Sequence, residues 1–183
     1  MHDGVVMSDI GKGYVQIYTG DGKGKTTAAL GLALRAAGSG LKVCIVQFMK
    51  GRHYSELDAV PMLQGLVTIE QYGHPDFCRF TDPPDPREVE RAHEALSRLD
   101  ALMDAQACDV LVADEIITAL KFSLLTEDEI LAFISRKPHG MELILTGRGA
   151  TPALIETADL VTEMREVKHY YLQGIQARCG IES

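Results

Sequence analysis

Apolar residues in this chain fall into short near-continuous runs, and between the runs they recur every three or four positions. Tyr14–Thr19 (YVQIYT) is a β-rich first run. Lys42–Phe48 (KVCIVQF), Asp109–Ala113 (DVLVA) and Met141–Thr146 (MELILT) are the near-unbroken apolar stretches expected of strands covered on both faces in a parallel sheet. Leu66–Glu70 and Leu160–Met164 are weaker strand candidates. Thr26–Ala37 reads as a helix rich in Ala and Leu, stopped by Gly38 and Gly40. Arg87–Ala107 carries apolar residues at Val89, Ala92, Leu96, Leu99 and Met103, steps that mark one helix face. Glu127–Arg136 reads as a helix ending before Pro138, and Thr151–Thr157 as one with Pro152 at its first position. Residues 50–86 carry a weaker pattern, and Gly73–Pro86, with four prolines, reads as a loop long enough to be functional.

Strands alternating with helices predict an α/β protein with a mostly parallel β-sheet and helices on both faces. Ligands in such a sheet bind beyond the carboxyl ends of the strands. That rule selects three segments: 19–27, 114–115 and 146–149. The order of the strands stays open at this level.

Length and charge narrow the picture. A chain of 183 residues, 46% apolar and 24% charged, is expected to form one domain (1–183) with its own core. Residues 1–13 form a short N-terminal arm without the apolar stretch of a signal peptide. No apolar stretch approaches the length of a membrane span. With 18 Lys+Arg against 26 Asp+Glu, the net charge of -8 argues against nucleic acid as partner. Cys44, Cys78, Cys108 and Cys179 show no paired spacing, and Cys44 and Cys108 sit in apolar runs. A reduced, cytoplasmic protein without disulfide framework or zinc is expected.

The chemistry concentrates in Gly20-Asp21-Gly22-Lys23-Gly24-Lys25-Thr26-Thr27. Its end matches the phosphate-loop pattern G-x-x-x-x-G-K-[ST], although Thr19 stands where the first glycine falls. A strand before it and a helix after it are the context the motif requires. Glycines let successive N–H groups turn toward one anion, and the helix start adds its positive end. Lys25 and Lys23 supply positive charge, and Thr26 a hydroxyl for Mg²⁺. Asp114 and Glu115 close an apolar strand, the place where an acid meets the metal of such a loop. Adjacent strand residues point opposite ways, so one of the two is expected to reach the metal. Arg148, between Gly147 and Gly149, is either a phosphate ligand or a solvated turn residue.

Five segments extend this motif in order along the chain: Tyr18–Ala29, Val46–Gly51 (VQFMKG), Ala113–Ile116 (ADEI), Leu145–Gly149 (LTGRG) and Ala158–His169 leading to Gln176–Glu182. Together they resemble the P-loop family of ATP:corrinoid (cob(I)alamin) adenosyltransferases. The resemblance implies a P-loop NTPase (RecA-like) architecture. It also implies transfer of the 5′-deoxyadenosyl group of ATP to cobalt(I) of a corrinoid, with release of triphosphate. ATP and the corrinoid are then substrates, with Mg²⁺ or Mn²⁺ held by Thr26 and Glu115. Cobalt(I) is itself the nucleophile, so the protein's tasks are alignment and stabilisation of the departing triphosphate.

By the same resemblance, Arg35, Gln47 and Lys50 join the ATP site. Phe77 and Phe80 fall in the loop whose aromatic side chains face the lower side of the corrinoid in the family. That role elsewhere involves a Trp, and this chain has none. A homodimer and a flavoprotein-type reductase are the implied partners. Two other readings remain at this level. A P-loop ATPase or small-molecule kinase would release phosphate or a phosphorylated product. A corrinoid carrier switched by ATP would bind corrinoid without forming a carbon–cobalt bond.

Overall fold

The computed structural model describes residues 10–75 and 81–182. Phe77, Phe80, Cys78 and most of the expected N-terminal arm lie outside the described residues. Six strands form one sheet: β1 (Val15–Thr19), β2 (Val43–Phe48), β3 (Val67–Tyr72), β4 (Val110–Asp114), β5 (Glu142–Thr146) and β6 (Leu160–Glu163). Their order is β3-β2-β4-β5-β1-β6, and every pairing is parallel. All carboxyl ends therefore lie along one edge.

Burial follows position in the sheet. Every residue of β2 and β4 is buried, because each strand has a neighbour on both sides and helices over both faces. The edge strand β6 is exposed throughout. One face is covered by α1 (Lys25–Gly38), whose Ala29, Ala33, Ala36 and Ala37 pack on Val43, Ile45, Val112 and Ile144. Small side chains at steps of four let this helix lie close to the sheet. The short α2 (Glu56–Ala59) and the 3-10 turn after it, which the sequence pattern left unread, contribute Val60 and Leu63 to the same face.

The other face holds the larger core under α3 (Pro86–Asp104), α4 (Ile116–Lys121), α5 (Glu127–Ser135) and α6 (Pro152–Thr157). The buried stripe of α3 is Ala92, Ala95, Leu99, Leu102 and Met103, while Val89 and Leu96 are only partly buried. The stripe is turned from the predicted one because Ala95 and Leu102 follow the helical period into the sheet. Helix starts follow the local sequence. Asp85 accepts the Arg87 N–H ahead of Pro86 in α3, Thr126 and Glu129 form a capping box on α5, and Thr151 caps α6 ahead of Pro152.

Candidate active site at the carboxyl edge

Strand register writes a polar row across the sheet just below its carboxyl edge. Gln71 pairs with Gln47, Gln47 with Asp114, and Asp114 stands beside Thr146, because Ala113 pairs with Leu145. All four side chains continue the alternation that turns Ile69, Ile45, Val112 and Ile144 toward α1. They are hydrogen-bonded in series. Gln71 Nε2 donates to Gln47 Oε1 (3.0 Å), Gln47 Nε2 to Asp114 Oδ2 (3.1 Å), and Thr146 Oγ1 to Asp114 Oδ1 (2.7 Å).

The loop after β1 delivers α1 onto this row. Gly24, at φ 121°, is the residue before the helix, a conformation that a side chain would strain. It offers no side-chain cap, so the first N–H groups of a 14-residue helix are left for an anion. Upstream, a Cβ on Gly20 would lie 2.4 Å from Met164 O, and the Gly22 N–H donates to that same oxygen at 2.7 Å. The chain following β6 thus braces the loop from outside, and only glycine permits the approach.

Lys25 is buried and donates to Gly20 O and Gly22 O, each at 2.7 Å. Burial pushes its pKa below the usual lysine value, opposed by Glu115, while Arg148 adds to the depression. Thr26 Oγ1 donates to Asp114 Oδ1 at 2.9 Å. Lys50, just past β2, donates to Asp114 Oδ2 at 2.8 Å and to Thr26 Oγ1 at 3.3 Å, and lies 5.3 Å from the Tyr54 ring centre. Burial alone would lower the Lys50 pKa. The charge and hydrogen bond of Asp114, with Glu56 and Glu115, raise it above the ordinary value. Asp114, fully buried, is therefore the acid in contact with Thr26, and both of its oxygens are already taken by donors.

Glu115 leaves the strand in a left-handed conformation (φ 65°). Its N–H donates to Thr146 Oγ1 at 2.9 Å, and its carboxylate accepts from the Thr118 hydroxyl. The same hydroxyl accepts the Arg148 N–H at 2.9 Å. Thr118 thereby ties the acid at the end of β4 to the turn after β5.

These elements line a cleft of about 480 Å³. Its floor is Gly22 to Thr27, with Lys50, Glu115 and Arg148 around it. Tyr54, Ser55 and Glu56 form one wall, and His169 with Gly180, Ile181 and Glu182 another. Lys23 Nζ donates to Ile181 O at 3.1 Å, which ties the tail to the loop. Asp21 is exposed, with its charge acting on Lys25.

Arg35, expected by resemblance at the ATP site, stands apart from the loop residues. It lies exposed in the last turn of α1, about 15 Å along the helix from Lys25 at 1.5 Å per residue. Its charge acts on Tyr18, and it does not line the cleft. The helix axis carries it away from the carboxyl edge. Conversely, Thr146 falls within the selected strand-end segment 146–149, His169 ends a segment that carries the resemblance but has no role there, and nothing in the sequence pattern marks Thr118, Tyr54 or Glu56. The polar end of an apolar strand was the available signal for Thr146, but the rest depend on how loops fold back.

Comparison with known proteins gives a consistent result. The family model described as ATP:corrinoid adenosyltransferase BtuR/CobO/CobP matches residues 11–183. A corrinoid adenosyltransferase of Pseudomonas aeruginosa is 34% identical over 171 residues, covering 93% of this chain and 84% of its own. One from Escherichia coli strain K12 is 34% identical over 179 residues, covering 93% and 86%. The corrinoid adenosyltransferase CobA of Salmonella typhimurium is 33% identical over 184 residues, with the same coverage. Among solved structures, a KaiC-like protein of Pyrococcus horikoshii shares the fold with a TM-score of 0.56 at 17% identity, covering 86% of this chain and 74% of its own.

Proposed function

Because the chain belongs to the ATP:corrinoid adenosyltransferase family, we propose that it joins the 5′-deoxyadenosyl group of ATP to the cobalt(I) of a corrinoid and releases triphosphate. The observation that carries the assignment to this cleft is the docking of the phosphate loop and Thr26 on the Gln47–Asp114–Thr146 row. In the reaction, cobalt supplies the electron pair to C5′ and the C5′–O bond breaks toward the triphosphate. No general base is needed. The protein's work is to hold the phosphates and answer the negative charge that develops on them.

The chain's residues divide that work. The first N–H groups of α1, with Lys23 and Lys25, are the groups for the phosphate chain, and Arg148 lines the same cleft. Gln47 and Lys50 hold Asp114, so their part in ATP binding is to fix the floor. A divalent ion fits the donor set. No group of three or more His, Cys, Asp or Glu able to hold a metal occurs among the described residues. Mg²⁺ instead needs one or two carboxylates plus phosphate and water. Thr26 and Glu115 on the cleft would hold it, with Asp114 orienting Thr26. Bound there, Mg²⁺ or Mn²⁺ would neutralise charge on the phosphates.

The corrinoid is read as approaching the same edge, where the segment carrying Phe77 and Phe80 leaves β3 at Gly73. The single sheet supports reading the chain as one domain. Exposed Leu160 and Val161 on the open edge of β6 support a homodimer. Free thiols at Cys44, Cys108 and Cys179 support a reducing cytoplasmic setting, and a flavoprotein-type reductase would supply cobalt(I). No described helix is long and apolar enough to cross a membrane.

The direct test mixes the protein with chemically reduced cob(I)alamin and Mg·ATP without oxygen. Light-sensitive adenosylcobalamin and triphosphate in equal amounts, both lost in Lys25→Ala, are expected. Phosphate release with the corrinoid unchanged would overturn the reading.

A further inference from the structure

We propose that His169 is a neutral hydrogen-bond donor to the phosphate chain of the nucleotide, presented to the cleft by the C-terminal tail. The inference rests on the reading of the cleft as a triphosphate site and adds a residue from outside the phosphate loop.

His169 precedes the 3-10 turn Tyr170–Gln173, and the turn decides its chemistry. The backbone N–H of Tyr171 donates to His169 Nδ1 at 3.0 Å. A peptide N–H can only donate, so Nδ1 must present its lone pair. The ring proton is then on Nε2, and protonating Nδ1 would break the bond that orients the ring. Two aromatic neighbours hold that orientation: Tyr170, 5.0 Å away between ring centres, and Tyr171, 6.3 Å away and nearly edge-on. Nε2–H has no hydrogen-bond partner among the described residues. His169 is half-buried on the cleft wall, where it shares the lining with Gly22, Lys23 and Gly24.

The rest of the tail fits a wall that receives an anion. The carboxylate on that wall, Glu182, is answered by Arg178 in an ion pair at 3.0 Å, and it also accepts from the Tyr170 hydroxyl. Its charge is thus offset before a phosphate approaches. Lys23 anchors the tail to the loop through Ile181 O, and Cys179 Sγ stands 3.7 Å from Ser55 Oγ on the facing wall. The cleft already carries Lys23, Lys25, Lys50 and Arg148. A neutral donor adds direction and one hydrogen bond without adding another full charge to retain the leaving triphosphate.

The test measures binding of inorganic triphosphate and of Mg·ATP to the full chain by calorimetry, with a histidine-selective ¹⁵N spectrum as the second readout. His169→Ala is expected to weaken both ligands about 10-fold, the range for a hydrogen bond to a charged group, while the melting temperature of the unliganded protein stays within about 2 °C. His169→Gln, whose amide N–H falls near the Nε2 position, is expected to recover most of the loss. In the spectrum, the His169 signal, identified by its absence in the Ala variant, should show the proton on Nε2 and should shift when triphosphate is added. Unchanged affinity in His169→Ala, or a proton on Nδ1, overturns the proposal. Lys25→Ala separates the two levels. If it loses triphosphate binding while His169→Ala does not, the His169 inference alone fails. If neither variant weakens triphosphate, the cleft is not the phosphate site and both readings fall.

Discussion

Lys50 Nζ lies 2.8 Å from Asp114 Oδ2, so the acid that ends the apolar strand β4 carries its own counter-charge within the protein. Asp114 is fully buried and the Lys50 side chain is 15% exposed, so the carboxylate has no water to replace its partner. The pair also holds Thr26, because that hydroxyl is a partner of both.

Asp114→Ala should therefore damage stability as well as activity. Removing the carboxylate takes from Lys50 its nearest counter-charge and from the Thr146 hydroxyl and the Gln47 amide their shared acceptor. The expected loss is about 3–5 kcal/mol, read as a fall in the denaturant midpoint. Lys50→Met with Asp114→Asn should recover part of it, because no lone buried charge remains.

Thr118 acts through Glu115 and Arg148, since its hydroxyl donates to one side chain and accepts the N–H of the other residue. Thr118→Val keeps the shape and loses both bonds. Its kcat should fall about 10-fold or more, an effect like that of a lost active-site hydrogen bond, together with a raised Mg²⁺ requirement. Thr118→Ser should restore both. A fall in melting temperature without a change in the Mg²⁺ requirement would assign Thr118 to packing alone.

Glu70 and Arg98 give the chain an acid-sensitive tie between β3 and α3. The Arg98 guanidinium hydrogen-bonds the Glu70 carboxylate and holds its pKa below the ordinary value of 4.5. A carboxylate depressed in the folded state binds fewer protons there than when unfolded. Its stabilisation is present above the ordinary value and is lost as pH falls through the depressed one. Unfolding measured from pH 7 downward should show that loss in the parent protein, and Glu70→Gln should flatten it below pH 4.5.

Arg35 should be silent in nucleotide binding. Arg35→Ala is expected to leave the KM for ATP within about 2-fold of the parent, a difference below the worth of one hydrogen bond. A 10-fold rise would mean that the far end of α1 reaches the nucleotide after all.

The open edge of β6 supplies a test of assembly. Val161→Lys puts a charge on an edge strand, a change that blocks pairing with another chain. Sedimentation should show a dimer for the parent and a monomer for the variant. A monomeric parent would remove the homodimer from the reading.

What the sequence determined by itself was local. Apolar runs of KVCIVQF, DVLVA and MELILT specify strands that can only exist covered on both faces, which requires a parallel α/β sheet. The glycines, Lys25 and Thr26 specify an anion-binding turn between strand and helix, because those properties depend on neighbours in the chain. Pro152 at the first position of its helix is legible for the same reason.

What only the tertiary structure decided depends on residues far apart in sequence. Strand order β3-β2-β4-β5-β1-β6 and its register align Gln71, Gln47, Asp114 and Thr146 in one row, and no periodicity within a strand contains that alignment. The row turns Asp114 toward Thr26 and leaves Glu115 in a left-handed turn held by Thr118. The α1 axis took Arg35 away from the cleft, and the returning tail brought His169 to it. Each of these outcomes is set by which surfaces pack together, a choice governed by burial over the whole sheet rather than by any residue's nearest neighbours.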